Sequence, residues 1–269
     1  MNRKFSGIIG AMIGDIVGSV YEFNNTYTKD FPLFRKGCYC TDDSVMTIAV
    51  ARALKMAAFR ETYLSLFLVM ELKTLGEKYP NVGYGGMFRK WLKEDEFEPY
   101  NSLGNGSAMR VSPCGFYADS LKEALYLAEM SAEVTHNHPE GIKGAQATAA
   151  AIYLARTGST KEEIKNYIEQ NFYSLDFTVD DLRPYPFNET CMKTVPQSIV
   201  CFLESENYED AVRNAVSIGG DSDTIACITG GIAWAYYSAG KDELPEDMLR
   251  IALRAMEYIP TEFLDTIIE

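Results

Sequence analysis

The sequence predicts a single compact all-α domain that spans residues 1–269. Apolar residues recur at helical spacing along most of the chain, whereas sustained period-2 alternation with β-branched residues is missing. Strands are therefore expected to be few or absent. No long flexible linker or internal repeat divides the chain, and a domain of this length can bury most of its apolar surface.

The first predicted helix lies in the apolar stretch of residues 5–20. This stretch follows two basic residues and so imitates a signal peptide. Asp15 interrupts it, however, and it is shorter than the ~20 residues that a membrane-spanning helix needs. We expect a buried helix of the mature protein, a cytoplasmic location and no membrane association.

The remaining helices are predicted from the same spacing of apolar residues. They cover residues 43–59, 61–78, 121–134, 141–156, 161–172, 208–217, 224–239 and 246–258. Ser120 with Glu123, and Thr160 with Glu163, form the capping-box pattern that starts a helix. Segments rich in proline and glycine near residues 79–86, 98–106 and 181–188 are predicted loops.

The charge balance limits the classes of partner. The formal charge is −13, from 25 basic and 38 acidic side chains, which argues against a general nucleic-acid binder. An acidic chain can still host divalent cations or bind an anionic small ligand within one cleft. The six cysteines form no CxxC pair, so we expect reduced and mostly buried thiols, as in a cytoplasmic protein.

Two acidic clusters carry the strongest chemical signal: Thr41-Asp42-Asp43 and Asp221-Ser222-Asp223-Thr224. Each cluster comes at the start of a predicted helix, and each alone is equally typical of a helix cap. Together they offer carboxylate and hydroxyl oxygens, which are the ligands that hard cations such as Mg²⁺ and Mn²⁺ select. With only two histidines, zinc or iron chemistry is not favoured. The pair therefore indicates a site for two divalent cations that activate water for hydrolysis.

A third carboxylate accompanies the first predicted helix. Asp15, Gly18 and Glu22 fall on one helical face, so Glu22 is either a catalytic carboxylate or a solvated residue at the helix end. Gly10, Gly14 and Gly18 recur at fourfold spacing, which would allow another helix to approach closely.

Five ordered motifs are similar to those of the ADP-ribosylglycohydrolase family. They are Gly14–Glu22, Thr41–Ser44, Gly104–Arg110, Thr135-His136 and Gly219–Thr224. Each motif is weak alone, but five in order are a specific signal.

The resemblance implies an all-α orthogonal helical bundle with a binuclear metal cleft that holds two Mg²⁺, or Mn²⁺. The implied metal ligands are Thr41, Asp42, Asp43, Asp221, Asp223 and Thr224. Glu22 matches a mobile carboxylate of the family, and Glu22 and Asp221 are the expected catalytic carboxylates.

The resemblance also implies an ADP-ribose site. Its expected contacts are Gly83, Gly85, Gly86, Phe97, Ser102, Gly104, Asn105 and His136. The glycines would let backbone N–H groups converge on the diphosphate, although the sequence alone favours an ordinary turn there. Phe97 would stack on adenine unless it is an ordinary core aromatic, and His136 would touch the ligand unless it only helps to cap the next helix.

The implied activity is hydrolysis of the bond between C1″ of the distal ribose and a protein side chain. The expected partner is an ADP-ribosylated protein or a small molecule that contains ADP-ribose, and we expect a monomer. Leu103 stands where serine-cleaving members often carry an aromatic residue, whereas Ser19 and Tyr21 favour that branch, so serine and arginine linkages both stay open.

Two other functions are compatible with the sequence. One is a non-catalytic ADP-ribose-binding or structural member of the family, although such members usually lack metal ligands. The other is a helical magnesium enzyme of the isoprenoid-synthase type, but the later acid of its DDxxD pattern is missing after Asp43.

Overall fold

The structure, a computed structural model, describes residues 3–58, 61–94 and 97–268. Helices form all the extended regular structure in this part of the chain. Its only β-type pairings are two isolated bridges, Gly104 with Thr190 and Tyr185 with Gly219. The predicted all-α fold class is confirmed.

The α-helices are numbered here in chain order. They are α1 (Ile9–Gly18), α2 (Asp42–Ala57), α3 (Leu64–Lys78), α4 (Gly86–Lys93), α5 (Gly106–Met109), α6 (Ser112–Tyr117), α7 (Leu121–Glu133), α8 (Pro139–Arg156), α9 (Lys161–Asn171), α10 (Val179–Leu182), α11 (Cys191–Leu203), α12 (Tyr208–Ile218), α13 (Ser222–Ser238), α14 (Glu246–Ala255) and α15 (Thr261–Ile268). Short 3-10 helices precede α1 at Arg3–Ile8 and α3 at Glu61–Tyr63.

Helix α1 packs against α13 in the centre of the molecule, and the glycine stripe of α1 makes the contact. A Cβ atom on Gly14 would lie 1.9 Å from the Ala226 carbonyl oxygen, and one on Gly18 would lie 2.4 Å from the Asp223 Cα. Only hydrogen side chains permit backbones this close. The contact brings the end of α1 against the start of α13, where the second acidic cluster lies.

Both predicted capping boxes lie at helix starts, and one of them is complete. Thr160 and Glu163 form a complete capping box at α9. At α7 the Ser120 hydroxyl accepts from the Glu123 N–H as expected, but the Glu123 carboxylate accepts from Asp119 N at 2.6 Å. One hydrogen bond of the predicted box is therefore displaced by a single residue.

Several helices lie in segments for which the sequence predicts no helix. The longest is α11, which contains Pro196 and packs a buried face against α13. Proline removes one hydrogen bond of the helix ladder and so weakens the local signal. Burial of Val195, Ile199 and Phe202 outweighs that loss.

Most of the apolar stretch at residues 5–20 is buried, as expected, and α1 ends at Gly18. None of the helices in the described ranges is long and apolar enough to cross a membrane. All six cysteine thiols are free and buried.

Candidate active site

The two acidic clusters, far apart in sequence, meet in the structure. The Thr224 hydroxyl donates to Asp43 Oδ2 at 3.2 Å, which joins the start of α13 to the start of α2. Carboxylate oxygens of Asp15, Asp43 and Asp223 lie within 4.8 Å of one another. Those of Glu22, Asp221 and Asp223 form a second group of the same size. Asp223 belongs to both groups, so the acids form one continuous cluster.

Helix starts position both clusters. Thr41 is the N-cap of α2, and its hydroxyl accepts from the Asp43 N–H at 3.3 Å. Asp221 occupies the N-cap position of α13 without a capping hydrogen bond from its side chain. The preceding Gly219 and Gly220 have φ values of 85° and 72°, a backbone conformation that glycine adopts readily. The capping interpretation therefore holds for Thr41, whereas the Asp221 carboxylate is left available to the cleft.

Asp15 is a site residue that the sequence analysis does not assign. It is fully buried in α1 and accepts hydrogen bonds from Thr41 N at 3.0 Å, Thr41 Oγ1 at 2.6 Å and Ser44 N at 3.1 Å. It also accepts from the Ser44 hydroxyl. Asp15 thereby orients the Thr41 hydroxyl from behind, as an outer carboxylate orients a metal ligand. In the sequence, Asp15 could have been singled out because it is the one charged residue in an apolar helix.

Burial, together with the charge of Asp223, raises the pKa of the neighbouring carboxylates. Burial, followed by the charge of Asp223, raises the pKa of Asp15 to about 7. The same two causes raise the pKa of Glu22 to about 8, with further contributions from Asp15 and Glu189. Burial also raises the pKa of Asp43 well above its usual value, again with Asp223 as the next cause. Among the described residues, no basic side chain contributes to the shifts of these three pKa values.

The donor set fits hard divalent cations. Asp43 Oδ1 is buried and has no hydrogen-bond partner among the described residues. A buried carboxylate oxygen of this kind is costly unless a donor or a cation satisfies it. None of the ion pairs in the described ranges uses the clustered acids. Oxygen ligands without a basic partner are typical of Mg²⁺, Mn²⁺ and Ca²⁺ sites.

The acidic cluster forms part of the lining of a cleft of about 350 Å³. Most residues predicted for the site line this cleft: Glu22, Asp42, Asp43, Gly83, Gly85, Gly86, Ser102, Gly104, Asn105, His136, Asp221, Asp223 and Thr224. Thr41 is buried behind the lining, against Asp15.

Phe97 lies apart from the other predicted site residues. It is not among the residues that line the cleft, and its side chain is 59% exposed. The Lys73 Nζ lies 5.2 Å from the centroid of the Phe97 ring. The ring is therefore neither a core aromatic nor part of the cleft wall in this structure.

Asn105 links the Gly104–Arg110 motif to the acidic cluster. Its Nδ2 atom donates to Asp221 Oδ2 at 2.7 Å and to Thr194 Oγ1 at 3.0 Å. The backbone N–H of Asn105 donates to the Glu189 carbonyl at 2.7 Å. The amide thus holds one carboxylate oxygen of Asp221, a residue that lines the cleft.

The loop that carries Gly83, Gly85 and Gly86 lies close to Asp42. Gly83 has a φ of 115°, and a Cβ atom there would lie 2.8 Å from Asp42 Oδ1. The backbone N–H of Asp42 in turn donates to the Val82 carbonyl at 2.9 Å. Any larger residue at position 83 would therefore displace Asp42. Gly85 and Gly86 have no atom within 4 Å of the place where a Cβ would stand, so they leave open space at the start of α4.

His136 is held by a chain of buried polar groups. Arg110 Nη2 donates to the Ser131 carbonyl at 2.6 Å and to Thr135 Oγ1 at 2.7 Å. Thr135 Oγ1 lies 2.8 Å from His136 Nδ1. Burial lowers the pKa of His136 well below its usual value, and the Arg110 charge lowers it further. A neutral imidazole therefore lines the cleft, and His138 is the residue that caps α8.

Further lining residues have no assigned role in the sequence analysis. They include Tyr84, Tyr100, Arg110 and Glu189. Arg110 belongs to the Gly104–Arg110 motif, so its membership of that motif could have indicated a place in the site. Glu189 follows a predicted proline-containing loop, and nothing in the local sequence indicates that it faces the acids.

Comparison with known proteins gives a family match over nearly the whole chain. A model of the ADP-ribosylglycohydrolase family matches residues 2–265. The chain is 28% identical to the human protein ADP-ribosylhydrolase ARH3, over 90% of this chain and 87% of that protein. It is 24% identical to ADP-ribosylarginine hydrolase Tri1 of Pseudomonas putida, over 88% of this chain and 71% of that protein.

A solved structure shares the fold. The chain superposes on an ADP-ribosylglycohydrolase-related protein complex with a TM-score of 0.69 and 20% sequence identity. The match covers 96% of this chain and 98% of the other, so the helical architecture is common to both.

Proposed function

Because the chain belongs to the ADP-ribosylglycohydrolase family and is a hydrolase, we propose that it removes ADP-ribose from modified protein side chains. The bond that breaks joins C1″ of the distal ribose to the side chain, and water supplies the new hydroxyl group. The names of the relatives support this substrate class, since they are ADP-ribosylhydrolases and an ADP-ribosylarginine hydrolase.

The observation that carries the proposal is the meeting of two acidic clusters at one cleft. The proposed metal ligands are Thr41, Asp42, Asp43, Asp221, Asp223 and Thr224. Two bound Mg²⁺ or Mn²⁺ ions would supply positive charge that orients the distal ribose hydroxyls and lowers the pKa of a water molecule. The unpartnered Asp43 Oδ1 supports this use, because a cation would satisfy it.

Glu22 is the proposed proton carrier. It is half-buried at the cleft, beside Asp221 and Asp223, and its pKa without metal is about 8. A carboxyl group near neutrality can release and accept a proton at working pH, which suits it to general acid–base chemistry. Asp221 is the alternative carrier, and Asn105 orients its carboxylate.

The remaining lining residues suit a diphosphate and two riboses. Gly83, Gly85 and Gly86 precede or begin α4, where free backbone N–H groups attract phosphate oxygens. Ser102, Gly104 and Asn105 would bind the diphosphate and the proximal ribose. Neutral His136 would offer a ring nitrogen to a hydroxyl or phosphate oxygen.

Phe97 remains a proposal for adenine stacking. With its ring exposed beside Lys73, it could stack only on a base that extends beyond the lined cleft.

The test is release of ADP-ribose from peptides modified on arginine or on serine, measured with magnesium and with a chelator. We expect release from at least one peptide and its loss in chelator. Asp42→Asn and Asp221→Asn should each lower kcat/KM by about 100-fold or more, since each removes a charged ligand.

Asp176→Asn is the matched control, because Asp176 is exposed and does not line the cleft. It should keep the wild-type rate, and circular dichroism should show that all three variants fold. Wild-type turnover by Asp42→Asn or Asp221→Asn in magnesium would refute the metal assignment. Tight binding of ADP-ribose without turnover of either peptide would instead favour a non-catalytic binder.

A further inference from the structure

Two exposed phenylalanines lie beside the acidic end of the cleft. Phe23 is 86% exposed and Phe187 is 46% exposed, yet their ring centroids are only 6.2 Å apart. We call this pair the aromatic rim. Large exposed apolar side chains that touch each other across distant segments are uncommon on a surface without a partner.

The aromatic rim adjoins the carboxylates of the cleft on both segments. Phe23 directly follows Glu22, and Phe187 precedes Glu189 by two residues. Glu22 and Glu189 both line the cleft. Along both segments, the rim therefore lies within two residues of a carboxylate that lines the cleft.

Hydrogen bonds anchor the backbone under Phe23. The Asn25 side chain donates to the carbonyl oxygens of Tyr21 at 2.7 Å and Gly220 at 3.0 Å, and it accepts from Gly220 N at 3.1 Å. These bonds tie the segment after α1 to the turn that carries Asp221.

The segment that carries Phe187 is anchored at both ends. Tyr185 N donates to the Ile218 carbonyl at 2.7 Å, and the Glu189 carbonyl accepts from Asn105 N at 2.7 Å. The two rings are thus presented from held backbone segments. Such preorganised aromatic side chains bind with little loss of conformational entropy, and aromatic residues are enriched where proteins make contact.

We propose that the aromatic rim binds the polypeptide that carries the ADP-ribosyl group, so that the enzyme favours protein-linked over small ADP-ribosyl substrates. This inference rests on the proposed function. The occupant is a peptide segment that flanks the modified residue, because polypeptide attached to a ribose at the acidic cluster would emerge beside the cleft-lining Glu22 and Glu189, which adjoin the rim. Contact with two uncharged rings should make the preference insensitive to salt.

The experiment compares two substrates of one linkage: a modified peptide, and the modified amino acid alone with blocked termini. In Phe23→Ser, Phe187→Ser and the double variant, KM for the peptide should rise by about tenfold, as for loss of an interface anchor. For the small compound, kcat/KM should change less than about twofold. Tyr126→Ser is the matched control, since Tyr126 is a 45% exposed aromatic on α7 outside the cleft lining.

An equal loss on both substrates would overturn the inference, because the rings would then act through Glu22. An unchanged KM for the peptide would overturn it as well. If the wild-type protein hydrolyses neither substrate, the proposed function fails, but binding still tests the rim. Fluorescence anisotropy should then show tighter binding of the modified peptide than of the small compound, and the double variant should abolish that difference.

Discussion

At the residue scale, Arg110 is a buried cation whose hydrogen bonds go to neutral groups. Its donors serve Ser131 and Thr135, and no carboxylate is among the charges that affect its pKa. Burial lowers the pKa of Arg110 to about 10, so it stays charged at neutral pH. The Thr135 hydroxyl lies between Arg110 and His136, so the positive charge of Arg110 opposes protonation of His136.

His136 is therefore expected to remain neutral under conditions that protonate an ordinary histidine. The protein has two histidines, so ¹⁵N-histidine labelling gives two ring systems, and His138→Gln assigns them. The His136 ring shifts should stay constant as the pH falls through the usual range. Arg110→Lys should preserve this behaviour, whereas Arg110→Met should raise the pKa of His136. Titration of His136 near its usual pKa in the wild-type protein would contradict the assignment.

Residue-scale prediction from sequence depends on neighbours that only the fold supplies. The aspartates at positions 42, 43, 221 and 223 could be predicted to face one cleft, because each pair lies in a short motif. Asp15 lies in the first motif, but its contact with Thr41 depends on packing against another helix, and no local motif marks Glu189 as a cleft residue. Phe97 shows the reverse case, because the family resemblance implies a ligand contact while the lining of the cleft does not include it.

At the element scale, the close packing of α1 on α13 determines where the second acidic cluster lies. The glycine stripe predicted that some helix would approach α1, and this prediction is confirmed for α13. Which helix it would be did not follow from the sequence, because small-residue stripes carry no information about their partner. Helix α11 was missed for a related reason: Pro196 weakens the local pattern, and the compensating burial is tertiary.

Substitution within this contact should be costly. In Gly14→Ala the new methyl group would overlap the Ala226 carbonyl, so the two helices must separate. We expect a loss of about 1–3 kcal/mol in the free energy of unfolding, measured by urea denaturation. Gly85→Ala is the control, since Gly85 has a φ of −60° and open space around it, and it should stay within about 0.5 kcal/mol. Equal free energies of unfolding for the two variants would contradict the close contact between α1 and α13.

At the scale of the whole molecule, the acidic cluster is a source of instability that bound cations would relieve. Several buried carboxylates repel one another, and the net charge of −13 adds to the unfavourable field. The composition indicated a host for divalent cations, but only the structure reveals how much negative charge one site collects.

The metal-free protein should lose stability as the pH rises. The pKa values of Asp15 and Glu22 are raised to about 7 and about 8, so between about pH 4 and these values the folded state holds protons that the unfolded state lacks. Their stabilising contribution is complete at low pH and disappears as the pH passes through the raised pKa values. The melting temperature in chelator should therefore be lower at pH 8.5 than at pH 5.5, as a rough bracket of that range.

Magnesium should restore the melting temperature at the higher pH, because a cation that bound only the folded state would stabilise it. The double variant Asp15→Asn, Glu22→Gln should show a smaller pH dependence in chelator. A melting temperature in chelator that rises from the lower to the higher pH would contradict the direction of these pKa shifts.

The pairing of α1 with α13 also has a consequence for biosynthesis. The two halves of the acidic cluster are far apart in the chain. A loop of roughly two hundred residues must close before they can meet. While a ribosome is still extending the middle of the protein, the first aspartates have no counterpart to share a cation with. Cation uptake should therefore begin only after α13 has left the ribosome, so tight metal affinity would report that synthesis has passed this helix.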